Sequence, residues 1–395
     1  MIERVNREEQ LVIPDKSPAV VRVRAEEIVE VGARALRAHG ATRTDALAQA
    51  RHLAEGELRG NPSHGLLRLP TLTARLDGGL IVSGREPVLE WTAPGTLRAD
   101  GRDGFGPVVA SRVLAALLAR VPETGVAVGA VRRSHHLGML APYAERVARE
   151  GAVGIILTTS EALVHPWGGR GALVGTNPIA IGVPARGGPV CLDMSTAEVS
   201  AGKILDYGAR GLALPQGWAV DADGHPTTDA GAAAGGAISP FGGAKGYALG
   251  VVLESMVGLL TGGAFGRGVA GTLDTVHPVT KGDLMIVMSA AAFGADVRGE
   301  ALAAYLEEVR ASGVDGRPVL IPGDRARAHR ERGLSEGIDL DARLWETARG
   351  LADGRDAAAS AASSAGSDGG VGSDGGVGSV GSDGSVGSDD IGGER

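Results

Sequence analysis

The sequence predicts an α/β protein with helical N-terminal and C-terminal parts. From about 125 to 312, short runs of Val, Ile, Leu and Ala alternate with segments of helical period, as strands interleaved with helices do. Before that stretch, apolar residues recur at helical spacing. Hydrophobic residues make up 43% of the 395 and aromatic ones only 3%, so the core must be built from Ala, Val, Leu and Ile.

The elements follow in order. Residues 1–20 read as a flexible leader. A helix is predicted over 24–39, where Ile28, Val31 and Leu36 share a face and Gly40 stops it. Thr42, with Asp45 three residues on, opens a second helix that runs to Leu58. A third spans 70–79 and ends at Gly78-Gly79. Residues 85–100 read as strand and turn, and 107–120 as a helix of Ala, Val and Leu. Then come a strand at 125–131, a helix at 139–150 and a buried strand at 153–158. Strands at 179–183 and 189–193 flank a Gly187-Gly188 turn. A long apolar helix at 245–261 is closed by Gly262-Gly263. A strand at 283–290 and a helix at 300–312 complete the alternation. The implied organisation is a largely helical part at 21–124, an α/β core at 125–312 and a helical segment at 313–356 packing back on the body. The Gly/Ser/Asp tail at 357–395 has too few large apolar residues to bury and is expected to be disordered.

Composition excludes several classes. A net charge of −8 argues against nucleic acid as a partner. The single Cys191 rules out an internal disulfide, and no zinc-ligand spacing occurs, so no metal is expected. The longest apolar run, 247–260, is short for a bilayer and carries Glu254. The opening MIERVNREEQ is too charged for a signal peptide, and a cytoplasmic protein with no membrane contact is expected.

The octet 63–70, Ser-His-Gly-Leu-Leu-Arg-Leu-Pro, is the most informative stretch. It places an imidazole and a guanidinium four residues apart, on one side of the chain if 65–69 make a helical turn. His64 can give or take a proton near neutral pH, and Arg68 can clamp a carboxylate with two parallel hydrogen bonds. A small 2-oxo or 2-hydroxy acid needs that pair. A surface His and Arg on a short helix is the plain alternative.

The usual nucleotide fingerprints fail. Gly266-Arg267-Gly268-Val269-Ala270-Gly271 has the glycine spacing of a dinucleotide loop but follows a helix and leads into no other. Four polar clusters stand out instead. Ser134-His135-His136-Leu137-Gly138 follows a strand, where ligands collect in α/β sheets. Gly175-Thr176-Asn177-Pro178 is a polar turn. Asp193-Met194-Ser195-Thr196 ends a strand, with Lys203 close behind. Lys245-Gly246-Tyr247 opens the apolar helix. Caps for Asp193 and Ser195, a turn for Asn177 and a solvated lysine are the structural alternatives.

Together these pieces resemble the malate/L-lactate dehydrogenase family, which is unrelated to the classical lactate dehydrogenases. The resemblance rests on 59–70 (RGNPSHGLLRLP), 136–145 (HLGMLAPYAE), 175–185 (GTNPIAIGVPA), 193–204 (DMSTAEVSAGKI), 214–229 (LPQGWAVDADGHPTTD) and 241–266 (FGGAKGYALGVVLESMVGLLTGGAFG). It covers about residues 24 to 350. It implies a non-Rossmann fold binding NAD or NADP, usually as a homodimer. It also implies roles: His64 as proton donor or acceptor supported by Ser63, and Arg68, Ser160 and Lys203 at the substrate. His136, Leu137, Gly138, Met139 and Leu140 would line the nicotinamide. Met194, Ser195, Thr196, Lys245, Gly246, Pro322, Gly323 and Asp324 would contact the rest of the cofactor. The sequence departs from the family pattern at Thr159-Ser160-Glu161 and at Ala141-Pro142. The expected activity is hydride transfer between nicotinamide and a small 2-hydroxy or 2-oxo acid. The alternatives are reduction of a cyclic imino acid and a non-catalytic binding protein on the same fold.

Overall fold

The computed structural model describes residues 19–272, 274–295 and 299–354. Its main sheet has seven strands in the order Val88–Ala93, Thr96–Gly104, Val126–Ser134, Gly282–Ser289, Ala152–Thr158, Ile179–Val183 and Val190–Met194. Thr96–Gly104 and Val126–Ser134 run parallel, joined by the crossover helix Gly106–Thr124. The other neighbours are antiparallel. The alternation in sequence thus produces a mostly antiparallel sheet.

Both faces of the sheet are covered. Helices Gly106–Thr124 and Ala141–Arg149 bury Ile156, Ala180, Met285 and Val287 on one side. Helix Ala244–Thr261 lays Leu253 and Val257 on Leu157 and Leu284 on the other. A strand buried on both faces has no polar side, so 152–157 and 284–288 read as continuous apolar runs. That helix ends at Gly262, whose φ of 69° is left-handed.

Helices Ala25–Ala38, Arg43–Leu58 and Leu69–Asp77 form a second core with the C-terminal helix Ala342–Ala352. Thr42 caps the second helix by accepting from Asp45 N at 3.3 Å. Val20–Val23 pairs antiparallel with Ile338–Asp341, so residue 20 belongs to a strand rather than to the leader. Residues 1–18 of the leader, and the tail at 357–395, lie outside the described residues. The sheet also takes its first two strands from before residue 124, so it crosses the boundary read from the sequence.

A smaller sheet carries Pro226–Thr227, Ala219–Val220, Ala237–Ile238, Ala162–Val164 and Val174–Gly175, backed by helices Ala201–Ala209 and Ala230–Ala234. Val164, Ile204, Leu214 and Ile238 are its core. Strands of two or three residues are too short to show a period, so the sequence reading passes over this unit.

Candidate active site

His64 and Arg68 do not share a single helical turn. Pro62–His64 and Leu66–Arg68 are two 3-10 turns separated by Gly65. Arg68 folds back so that its Nε donates to Ser63 O at 2.7 Å. Its two terminal nitrogens have no hydrogen-bond partner among the described residues. Ser63 Oγ lies 3.2 Å from His64 Nδ1 and fixes that side of the ring.

The tertiary fold brings His136 onto His64. The rings stack with centroids 5.6 Å apart and planes 15° from parallel. Burial, and then the Arg68 charge, lower His64 to about 4. Burial pushes His136 well down too, helped by Arg68 and His64. Both rings are therefore neutral near pH 7. Arg68 is itself held below its usual range by burial, partly offset by Glu161. Glu161, in the departure at 159–161, accepts from Thr272 N at 2.6 Å. The neighbouring His135 is structural, with its Nε2 at 2.8 Å from Leu80 O.

The stretch 136–140 lies along this site, with one correction. Leu137, Met139 and Leu140 are buried in the main core, so their side chains pack rather than line a ligand. His136, Gly138 and backbone remain for that role. Gly138 has φ 73°, and a Cβ there would fall 2.5 Å from His52 Nε2. That nitrogen is buried with no hydrogen-bond partner among the described residues, and the His52 ring stacks on Tyr143 at 5.0 Å. Asp193 links this stretch to the next by accepting from Ala141 N at 2.7 Å. Burial raises its carboxyl to about 6.

Ser160, Thr176 and Thr196 form a hydrogen-bonded floor. Ser160 Oγ is 2.9 Å from Thr176 Oγ1 and accepts from Thr176 N at 2.8 Å. Thr196 donates to Thr176 O through both N and Oγ1. Ser195 bonds within its own turn, to Ala197, and Met194 is partly buried beside it. Beneath lies Glu254, the lone acid of the apolar helix. It accepts from Asn177 Nδ2 at 2.7 Å, Gly175 N at 2.9 Å and Gly266 N. Asn177 in turn accepts from Ser160 N.

Lys245 and Gly246 sit beside this floor. Phe241 N donates to Thr196 O, and a Cβ on Gly250 would meet Thr196 Oγ1 at 2.9 Å, so the helix packs flush against it. The helix N-terminus has no side-chain cap and follows Gly242 and Gly243, both with positive φ. Free N–H groups at such an end suit a phosphate. Pro322 and Gly323 run along the sheet edge, where Pro322 O accepts from Cys191 N. Asp324 carries a second correction. Its carboxylate is occupied by Arg310, Arg327 and Ile321 N, which leaves it a structural role. Lys203 stands apart. It is exposed on the small unit, 5.7 Å over the Trp218 ring, with no contact to His64 or Arg68.

The residues present fit a nicotinamide dinucleotide: the backbone around Gly138 beside two neutral imidazoles, and an uncapped helix end beside the polar floor of Ser160, Thr176 and Thr196. Sequence reasoning missed Glu57 and His52, as well as the buried Lys281–Asp283 ion pair next to this site. It saw Glu254 only as a charge unsuited to a bilayer. A single acid in an otherwise apolar helix was the available signal.

Comparison with known proteins places this architecture. The family model described as malate/L-lactate dehydrogenase matches residues 23–348. L-sulfolactate dehydrogenase of Methanothermobacter thermautotrophicus is 36% identical, over 75% of this chain and 86% of its own. A Delta(1)-pyrroline-2-carboxylate/Delta(1)-piperideine-2-carboxylate reductase of Pseudomonas putida is 33% identical, over 81% and 93%. The crystal structure of a dehydrogenase from Sinorhizobium meliloti superposes with a TM-score of 0.81 at 46% identity, covering 85% of this chain and 99% of that one.

Proposed function

The chain belongs to the malate/L-lactate dehydrogenase family and is a nicotinamide-dependent oxidoreductase, and on that premise we propose that it interconverts a small 2-hydroxy acid and its 2-oxo acid. The observation that carries this reading is Arg68. Its Nε is spent on Ser63 O, and the two remaining nitrogens form a planar fork beside His64. A fork of that shape takes a carboxylate in two parallel bonds.

The cofactor, NAD or NADP, supplies or accepts the hydride when bound. The chain's own residues do the rest. Arg68 fixes the carboxylate, which leaves the adjacent oxygen to His64. A neutral His64 accepts the hydroxyl proton during oxidation. In reduction a protonated His64 returns it. Burial lowers His64 most and a docked carboxylate leaves that in place, but it cancels the smaller contribution of the Arg68 charge, so substrate binding moves the ring's proton affinity upward. Ser63 holds the ring, and the stacked His136 keeps water from one face of it.

A cyclic imino acid is the second reading, favoured by the reductase among the relatives. It needs the same fork and the same proton. We further propose a cytoplasmic homodimer that buries the outer face of helix Ala244–Thr261, where Val252, Leu259 and Leu260 are exposed. The test is cofactor titration by nicotinamide fluorescence with NADH and NADPH, then turnover of a panel of 2-oxo acids and cyclic imines. Binding without turnover of any panel member would overturn the proposal. A monomer by light scattering would remove the dimer.

A further inference from the structure

We propose that Glu57 is a positioning residue that sets the angle between the His64 and Arg68 halves of the catalytic turn. The inference rests on the reading that these two residues act on the substrate.

The turn needs such a fixing point. Its two 3-10 pieces close on themselves: His64 N donates to Asn61 O, Gly65 N to Pro62 O and Arg68 N to Gly65 O. Gly65, at φ −98° and ψ −143°, belongs to neither and acts as the joint. The first N–H beyond the joint, on Leu66, leaves the turn altogether. It donates to Glu57 Oε1 at 2.7 Å, inside the protein. That bond reaches across from the last turn of helix Arg43–Leu58 to the joint, and anchors to the body of the protein two halves that the Arg68 Nε–Ser63 O bond already links to each other.

The packing shows how closely the parts are matched. A Cβ on Gly65 would fall 2.0 Å from Glu57 Oε1, so no side chain fits between joint and carboxylate. A Cβ on Gly56 would fall 2.7 Å from His64 O, so the helix backbone lies directly against the backbone of the proton-transfer residue. Burial raises the Glu57 carboxyl to about 7, and the Leu66 N–H pulls against that rise. Holding an acid there is costly, and the contact it makes is with the joint. A shift at the joint moves Arg68 relative to His64, and small misplacements of reacting groups cost much in rate.

The experiment compares Glu57→Leu with Glu57→Gln. Three quantities are measured: hydrogen exchange of the 61–69 peptide, NADH and NADPH dissociation constants, and KM and kcat for a 2-oxo acid that the unmodified enzyme turns over. Glu57→Leu should raise KM and lower kcat/KM by about tenfold or more. It should speed exchange at 61–69 alone and leave the dinucleotide constants within about twofold. Glu57→Gln keeps an acceptor oxygen and should recover most of both losses. Gly65→Ala presses on the carboxylate from the other side and should reproduce the Glu57→Leu pattern, which keeps the test open if Glu57→Leu does not fold. The proposal is overturned if Glu57→Leu keeps protection and kcat/KM. It is equally overturned if dinucleotide binding is lost in step with substrate, or if Glu57→Gln is as impaired as Glu57→Leu. An unmodified enzyme without turnover would sink the functional reading, while the exchange comparison would still decide the role of Glu57 at the joint.

Discussion

His64 and His136 lie 72 residues apart in sequence, yet their rings stack at 5.6 Å and 15°. One comes from a turn after a helix, the other from the end of a sheet strand. The stack shields one face of the His64 ring, and burial, helped by the Arg68 charge, keeps both rings neutral.

His64→Ala removes the proposed proton carrier and leaves the residues proposed to hold the dinucleotide. Turnover should fall by about a hundredfold or more, with the NADH dissociation constant little changed by fluorescence titration. Turnover within a few-fold of the unmodified enzyme would disprove the role.

Arg68→Lys keeps the charge and loses the fork. A lysine cannot donate to Ser63 O and grip a carboxylate with two parallel bonds at once. KM should rise and kcat fall together, by about tenfold or more in kcat/KM. Steady-state kinetics that show unchanged efficiency on every turned-over 2-oxo acid would move the clamp elsewhere.

Stability should depend on pH through the buried histidines. His52, His64 and His135 are each lowered to about 4, chiefly by burial. Between about 6.5 and 4 the unfolded chain binds protons on these rings that the folded protein does not, so their contribution to stability falls as pH drops through that window. Glu57 and Asp193, raised to about 7 and about 6, act with the opposite sign. The variant comparison therefore isolates the effect. Melting temperature against pH from 7.5 to 4.5 should be less steep on the acid side for His52→Gln. Parallel curves would contradict the assignment.

Arg59→Met should destabilise strongly. Arg59 bonds Glu145 through two nitrogens at 2.7 and 3.0 Å, both side chains being buried, and also Glu55 at 2.9 Å. This pair ties the helix that ends at the His64–Arg68 turn to the helix that follows 136–140. Removing one member leaves Glu145 buried with only Arg149 beside it, at a cost of about 3–5 kcal/mol. Denaturant unfolding measures it, and a loss under about 1 kcal/mol would show that water or Arg149 compensates.

Elements whose signals are local were legible in the sequence. Strand Ile179–Val183 lies where predicted, and helices Ala25–Ala38, Arg43–Leu58 and Ala244–Thr261 start and stop within a residue or so of their Thr, Gly and apolar markers. His64 and Arg68 were legible for the same reason: they stand within one octet. Whatever depends on distant contacts was settled only by the folded arrangement. It made the sheet mostly antiparallel, turned Leu137, Met139 and Leu140 into the core, and tied up Asp324 with Arg310 and Arg327. It left Lys203 on Trp218 and recruited Glu57 and Glu254, which carry no motif. A hydrophobic period reports which face of an element is buried. It does not report which backbone N–H a buried carboxylate will meet, because that partner can come from anywhere in the chain.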